Sequence, residues 1–308
     1  MNKNGDLWSK MKGKEIQKGD NHTEGEKWEK QKTFLTAFIM AFILLSLAMI
    51  GTVLAVQPVL PAAQEEKEQY DYQPPASDTL TMIVAGMAGN IPQDFLLIRY
   101  NPQYGQIPLA LLPPDTLAEG KTLGEIYTKE GAEALKRSVS SLFGIVVDRY
   151  AVLSGTIFMK LAAQIGSVVY ELPYEIVYSR EGSPVHFSAG KQQLDGQDLL
   201  DLFQVPTLKQ NPVEKSELLG DIIAEAINQN MSAASEKRAA SVFKLAVNAV
   251  RTDVTSTDFE LRRESAAFLA GMDARFAGNL PVQGEWQDGS FVLSEAFLSR
   301  VRQYFQPA

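Results

Sequence analysis

The 308-residue chain contains no cysteine and only two histidines, His22 and His186. Without a thiol it can form no disulfide framework, thiolate zinc site, iron–sulfur cluster or cysteine nucleophile. Two histidines, here on opposite sides of a long apolar run, leave little for a histidine-built metal site. No GxSxG elbow, HExxH helix or phosphate-binding P-loop occurs. GMAGN (Gly86 to Asn90) is glycine-rich after a strand but lacks GxGxxG spacing, and it reads as a strand-end turn. Positive charge is in deficit, with 29 Lys+Arg against 37 Asp+Glu, a net of −8. At 45% hydrophobic and 21% charged residues the chain is neither collagenous nor wholly disordered, and it is long enough to bury a full core.

What is present is segregated. Phe34 to Val56 reads FLTAFIMAFILLSLAMIGTVLAV, uncharged throughout and long enough as a helix to span a bilayer. The sequence thus divides into a lysine-rich tail (1–32), a transmembrane helix (33–56), a linker (57–77) and a folded domain (78–308). The tail carries eight lysines and six acids, whereas Glu65, Glu66, Glu68 and Asp71 follow the span with one lysine, Lys67. That lysine bias predicts a cytoplasmic N-terminus and an extracytoplasmic domain on a single-pass membrane protein. Ala62 and Ala63 leave signal cleavage as the other reading. Everything beyond the tail carries a charge of about −10. Such a field repels polyanions, so no nucleic-acid partner is expected. A cysteine-free exported domain fits a bacterial envelope.

QPVLPAAQEEKEQYDYQPPAS (Gln57 to Ser77) is proline- and charge-rich, as an extended linker would be. Beyond it, Thr79 to Met87 and Asp94 to Tyr100 read as strands, and NPQYG (Asn101 to Gly105) turns the second into a hairpin with Gln106 to Leu112. Helical spacing covers Leu123 to Phe143 with a break at Gly131 and a stop at Gly144. Arg149 to Gly155 reads as a strand, Thr156 to Gly166 as a short helix, and Ser167 to Ser179 as one or two strands. Helices are expected at Gln197 to Phe203, Val213 to Asn228, Ser235 to Val250 and Thr257 to Leu269, the last with a Thr257/Glu260 capping box. A strand at Ser290 to Ser294 and a helix at Glu295 to Phe305 close the chain, giving one α/β or α+β domain.

Candidate chemistry reduces to a pair of acids. Asp94 opens one strand and Asp115 follows the end of its hairpin partner, so antiparallel pairing could place them on one sheet edge. Two carboxylates there could hold Mg²⁺, with phosphate oxygens completing the octahedron. Turn capping by both is the structural alternative.

The ordered segments resemble the LytR-CpsA-Psr family, membrane-anchored bacterial envelope proteins that attach undecaprenyl-pyrophosphate-linked glycopolymers to peptidoglycan. The resemblance rests on TMIVAGM, QDFLLIRYNPQYGQIPLALLPPDT, KTLGEIYTKEGAEALKRSVSSLFGI, DRYAVLSGTIFMKLAAQIGSVVYELP, LDGQDLL and LPVQGEWQDGSFVLSEAFLSRVRQYF, in that order. It implies a central mixed β-sheet flanked by helices, arginines that clamp the lipid pyrophosphate and aspartates that hold Mg²⁺. Asp94, Asp115 and Thr116 match the family pattern, and Lys121 stands where its Lys-Ile-Asn lysine falls. Other positions depart from it. Met87 replaces an aspartate and Pro114 an arginine, two further arginines fall near Gln204 and Pro206, and the Arg-x-x-Arg-Gln-Gln helix reads NPVEKSELL.

The resemblance supports two functions. One is an active Mg²⁺-dependent phosphotransferase using Asp94 and Asp115 on the metal, Lys121 in catalysis and Arg99 as a ligand-binding cation. The other, favoured by the lost arginines, is a weakly active or non-catalytic relative that binds polyprenyl-(pyro)phosphate-linked glycopolymer or scaffolds its attachment to peptidoglycan. Losing one guanidinium contact to a pyrophosphate costs about 2 to 4 kcal/mol of transition-state stabilisation.

Overall fold

The computed structural model describes residues 72–306 apart from 156, 159, 161–165, 181, 206–211, 231–249 and 273. The tail, the apolar run, most of the linker, most of the helix expected at Thr156 to Gly166 and nearly all of that expected at Ser235 to Val250 lie outside the described residues. Among the described residues no helix is long and apolar enough to cross a membrane.

Strand β1 (Leu80–Ala88) is buried over all but its last residue. It lacks an in–out alternation because helices cover both of its faces. It pairs antiparallel with β2 (Ile91–Tyr100), and a 3-10 turn at Pro102–Tyr104 ending on left-handed Gly105 (φ 60°) leads into β3 (Ile107–Leu112). Short β4 (Leu117–Ala118) and β5 (Lys121–Thr122) precede helices α1 (Leu123–Glu130) and α2 (Ala132–Phe143). Gly131 separates the two helices at φ 86°, and Gly144 closes the second in the left-handed region. These are the break and the stop expected from the helical spacing.

Strand β6 (Arg149–Ser154) returns parallel to β1. Strands β7 (Val168–Leu172), β8 (Ile176–Arg180), β9 (Ser183–Phe187) and β10 (Gly190–Leu194) form two small antiparallel ladders, β8 with β9 and β7 with β10. Then come α3 (Gly196–Gln204), α4 (Pro212–Asn230), β11 (Arg251–Thr252), α5 (Ser256–Leu261) and α6 (Arg263–Gly271). Strands β12 (Ala277–Asn279), β13 (Gly284–Gln287) and β14 (Ser290–Leu293) lead into α7 (Glu295–Phe305).

The main sheet is mixed, in the order β11-β6-β1-β2-β3-β12. One face presents Leu80, Met82, Val84, Leu96, Ile98, Leu109 and Leu111 to a core completed by α3, α4, α5 and α6. The other presents Ile83, Ala85, Phe95, Leu97 and Leu112 to α1, α2 and α7. Alternate residues of one strand therefore serve two cores.

The capping box expected at Thr257/Glu260 falls two residues earlier. The Thr255 hydroxyl accepts from the Asp258 N–H (3.1 Å), and Asp258 accepts from the Thr255 N–H (2.9 Å). Asp258 also takes a two-point ion pair from Arg149, with bonds of 2.8 and 3.0 Å, and this tertiary contact selects it over Glu260. The expected single helix also divides at Arg262, whose buried guanidinium bonds the carbonyls of Asp78 (2.8 Å) and Asp258 (2.8 Å). Arg262 thereby ties the start of β1 to α5. At the same end, the Tyr72 ring packs edge-on against Phe268 of α6, so the last residues of the linker segment lie on the domain.

Candidate functional site

The site is built on a register fault. Gly86 pairs with Asp94 and Met87 with Pro92, which leaves Gln93 as an extra residue in β2. Such a bulge interrupts the ladder just before Asp94. Asp94 shares the sheet face of Leu96 and Ile98, the face that α4 covers, and it is 4% exposed. Its Oδ2 atom has no hydrogen-bond partner, and the Lys215 Nζ of α4 stands 3.9 Å away. Burial pushes the Asp94 carboxyl up to about 6, and the Lys215 charge opposes that shift.

Lys215 lies in the first turn of α4, with its side chain 12% exposed. It was not among the residues singled out from the sequence, although a signal was there. Lys215, Leu219, Ile222, Ile223 and Ala226 fall at intervals of three and four, so the lysine sits on the apolar stripe of its helix.

The other candidates do not join it. Phe95 pairs with Leu112, so Asp94 stands opposite Pro113 and Asp115 lies two residues beyond, in an exposed turn. The Asp115 carbonyl accepts from the Phe291 N–H (2.8 Å), and partial burial raises the pKa of its carboxyl. Lys121 is half exposed and pairs with Glu130 at 2.7 Å, beside α1 on the opposite side of the sheet. Arg99, at the far end of β2, is buried and donates to Thr81 Oγ1 (3.0 Å) and to the carbonyls of Phe305 (2.9 Å) and Gln306 (2.9 Å). Strand alternation turns Arg99 to the face opposite Ile98 and Tyr100. The structure makes that face a core rather than solvent, and the guanidinium is committed to the end of α7. Among the described residues no hydrogen bond or ion pair joins Asp94 to Asp115, Lys121 or Arg99.

The donor set does not suit the expected Mg²⁺. That ion needs near-octahedral oxygen ligation, yet Asp94 faces an ammonium, and among the described residues no three acidic or histidine side chains cluster to hold a metal. A cleft of about 370 Å³ lies between β7 and α4, lined by Tyr170, Tyr174 and the acids Glu171, Glu214, Glu217 and Asp221. Its lining is acidic. Of the positions matching the family's arginines, Pro114 and Gln204 are neutral and Pro206 lies outside the described residues.

Solved structures share this architecture. A protein from Eubacterium siraeum is 14% identical with a TM-score of 0.72, over 81% of this chain and 98% of its own. Bacillus subtilis TagV is 14% identical with a TM-score of 0.59, over 74% and 95%. The transcriptional regulator EF0465 from Enterococcus faecalis is 18% identical with a TM-score of 0.60, over 76% and 90%. At these identities the likeness is one of fold. No curated protein sequence matches the chain. The LytR_cpsA_psr family model matches residues 94–302, from the buried aspartate of β2 into the closing helix, and the chain belongs to that family.

Proposed function

We propose that this protein is a membrane-anchored component of bacterial cell-envelope assembly that binds polyprenyl-(pyro)phosphate-linked glycopolymer or scaffolds its attachment to peptidoglycan, with little or no transfer chemistry of its own. Family membership supports the pathway. The observation that carries the loss of chemistry is the solitary position of Asp94, which faces Lys215 while Asp115 and Lys121 lie apart from it. Phosphoryl transfer is catalysed largely by charge stabilisation around the transferred group, and this site gathers one cation where the family pattern expects several.

In this reading Phe34 to Val56 anchors the chain with its N-terminus inside the cell. The active Mg²⁺-dependent transferase is the competing reading, and the retained Asp94, Asp115 and Thr116 are what favour it. The acidic net charge argues against nucleic acid as a partner.

The test is mass spectrometry of lipids that co-purify with the detergent-extracted full-length protein, alongside an Asp94→Ala, Asp115→Ala double variant. Bound polyprenyl phosphate without turnover onto peptidoglycan fragments supports binding or scaffolding. Turnover that both acids and Mg²⁺ are needed for establishes the transferase. Absence of bound lipid in either protein sinks both readings.

A further inference from the structure

We propose that the end of the main sheet at which the chain enters the domain docks on the bilayer, with Tyr104 and Met272 seated between the lipid headgroups and the acyl boundary. The inference rests on the membrane-anchored reading above and adds the face that the domain turns to the membrane.

Fifteen residues, 57–71, separate the apolar run from Tyr72. Even fully extended, a chain of that length reaches only about 50 Å. The Tyr72 ring packs on Phe268 of α6 with 5.7 Å between centroids, so the connection to the anchor arrives beside that helix. Helix α6 and the 3-10 turn at Ala76–Asp78 both pack against the turn at Pro102–Tyr104. Met272 follows α6 and is 41% exposed, and its Cε would lie 4.0 Å from a methyl built on Gly105, the neighbour of Tyr104. Tyr104 itself is 59% exposed. Tyr72, Phe268, Met272 and Tyr104 thus cluster around the point of entry.

The same end of the sheet gathers further apolar side chains. Leu80 at the start of β1 pairs with Tyr100 at the end of β2, Met82 with Arg149 at the start of β6, and Ile107 with Ala277 at the starts of β3 and β12. Exposed Val146 lies just before β6, exposed Leu261 adjoins Arg262, which bonds the Asp78 carbonyl, and exposed Tyr304 precedes Phe305, whose carbonyl Arg99 holds. Five of the nine exposed large apolar side chains among the described residues therefore stand at the anchor end, whereas the β1–β2 hairpin at the opposite end contributes Ile91. Exposed apolar residues scattered singly need no explanation, but a gathering of them marks an interaction face.

A lipid surface suits this face. Tyrosine settles at the headgroup level, and Met and Leu enter the acyl boundary. The tether holds the face near the bilayer at high effective concentration, so shallow insertion of a few side chains suffices. Charge is not the attraction: Arg263 pairs with Glu260 (3.4 Å), Arg149 pairs with Asp258 (2.8 Å), and Glu264 adds a carboxylate near Tyr72. Docking therefore needs no anionic lipid.

The chain has no cysteine, so an introduced one reports a single position. The test reconstitutes the full-length protein in phosphatidylcholine vesicles with an environment-sensitive nitrobenzoxadiazole label on Tyr104→Cys, Met272→Cys or, at the opposite end of the sheet, Ile91→Cys. We expect quenching by doxyl lipids to be about threefold or more stronger at positions 104 and 272 than at 91, and to persist at about 1 M salt. In a Tyr104→Ser, Met272→Ser background, a label on Leu261→Cys is expected to lose its quenching, which nearness imposed by the tether alone would leave in place. Circular dichroism and a thermal melt establish that each variant is folded, and where one of the two labelled variants is not, the other carries the test.

Equal quenching at all three positions, its loss at high salt, or a double variant that leaves the Leu261→Cys label quenched overturns this inference while leaving the anchored reading intact. A label shielded from water but not quenched by lipid assigns the face to a second copy or another protein, and overturns it likewise. A wild type that does not float with the vesicles overturns both.

Discussion

The guanidinium of Arg99 hydrogen-bonds the carbonyl oxygen of Phe305, 206 residues later in the chain, and thereby fastens the last turn of α7 to the middle of the sheet. The Gln306 carbonyl and the Thr81 hydroxyl take two more of its donors. Helix C-termini leave four carbonyls without intrahelical partners, and here a buried arginine serves that end. Replacing Arg99 by alanine leaves these acceptors stranded in a core. We expect a loss of about 2 to 5 kcal/mol and a melting temperature lower by about 5 to 15 °C. Arg300→Ala, on the exposed side of the same helix, should melt as the wild type does, and equal melts for the two variants would refute a special role for Arg99.

Asp94 should weaken the fold at neutral pH. Its carboxyl is raised from 3.8 to about 6 by burial, so the native state binds the proton more tightly than the unfolded chain. The cost of ionisation is absent below the unfolded value, grows as pH rises through the interval, and is complete above about 6. Asp94→Asn is therefore expected to stabilise the protein by about 1 to 3 kcal/mol at pH 8 and by almost nothing at pH 4. Urea unfolding at the two pH values measures this, and an equal effect at both would show that the burial cost has been misassigned.

Glu119 adopts φ 54° in the two-residue turn between β4 and β5, followed by Gly120 at φ 78°. A long acidic side chain gains nothing in this left-handed conformation, whereas asparagine tolerates it. Glu119→Asn should raise the denaturation midpoint at unchanged m, a gain in stability of about 0.5 to 1 kcal/mol. Asp288 and Gly289 hold the same geometry between β13 and β14 with a residue already suited to it, so Asp288→Asn should change little.

Gly284 has no room for a methyl group. A Cβ there would lie 2.2 Å from the Val292 carbonyl oxygen and 2.9 Å from the Phe291 ring, and the first of these is backbone of the paired strand. Gly284→Ala should destabilise by about 2 kcal/mol or more. Gly271→Ala, with nothing within 4 Å, should stay within about 0.5 kcal/mol of the wild type. Thermal melts of the pair separate local crowding from a general intolerance of substitution.

How much of this was legible beforehand followed local pattern. Helix α7 occupies Glu295–Phe305 as expected, because Ser294 caps it and its apolar spacing is regular. The hairpin of β2 and β3 was marked by its turn chemistry. Strands β9 and β10 went unread because SPVHF and GKQQL are polar, and each buries only its last residue. Strand β12 was missed because three residues, Ala277–Asn279, carry no pattern of their own and are a strand only through pairing with β3. The site divided in the same way. Asp94 was found through its place at a strand start, but the bulge beside it is set by pairing with β1, and its partner lies in a helix 121 residues later. Asp115 and Lys121 matched the family pattern by sequence alone, which says nothing about whether their side chains reach Asp94.

Strands β11 and β12, at the two margins of the main sheet, are only two and three residues long. So few free N–H and C=O groups cannot template an incoming strand. The strongly apolar strands β1 and β2 lie in the interior of that sheet, each paired on both sides. Among the described residues the main sheet therefore offers crowded copies of this protein only short margins along which one sheet could recruit another, and its most apolar strands are held away from them.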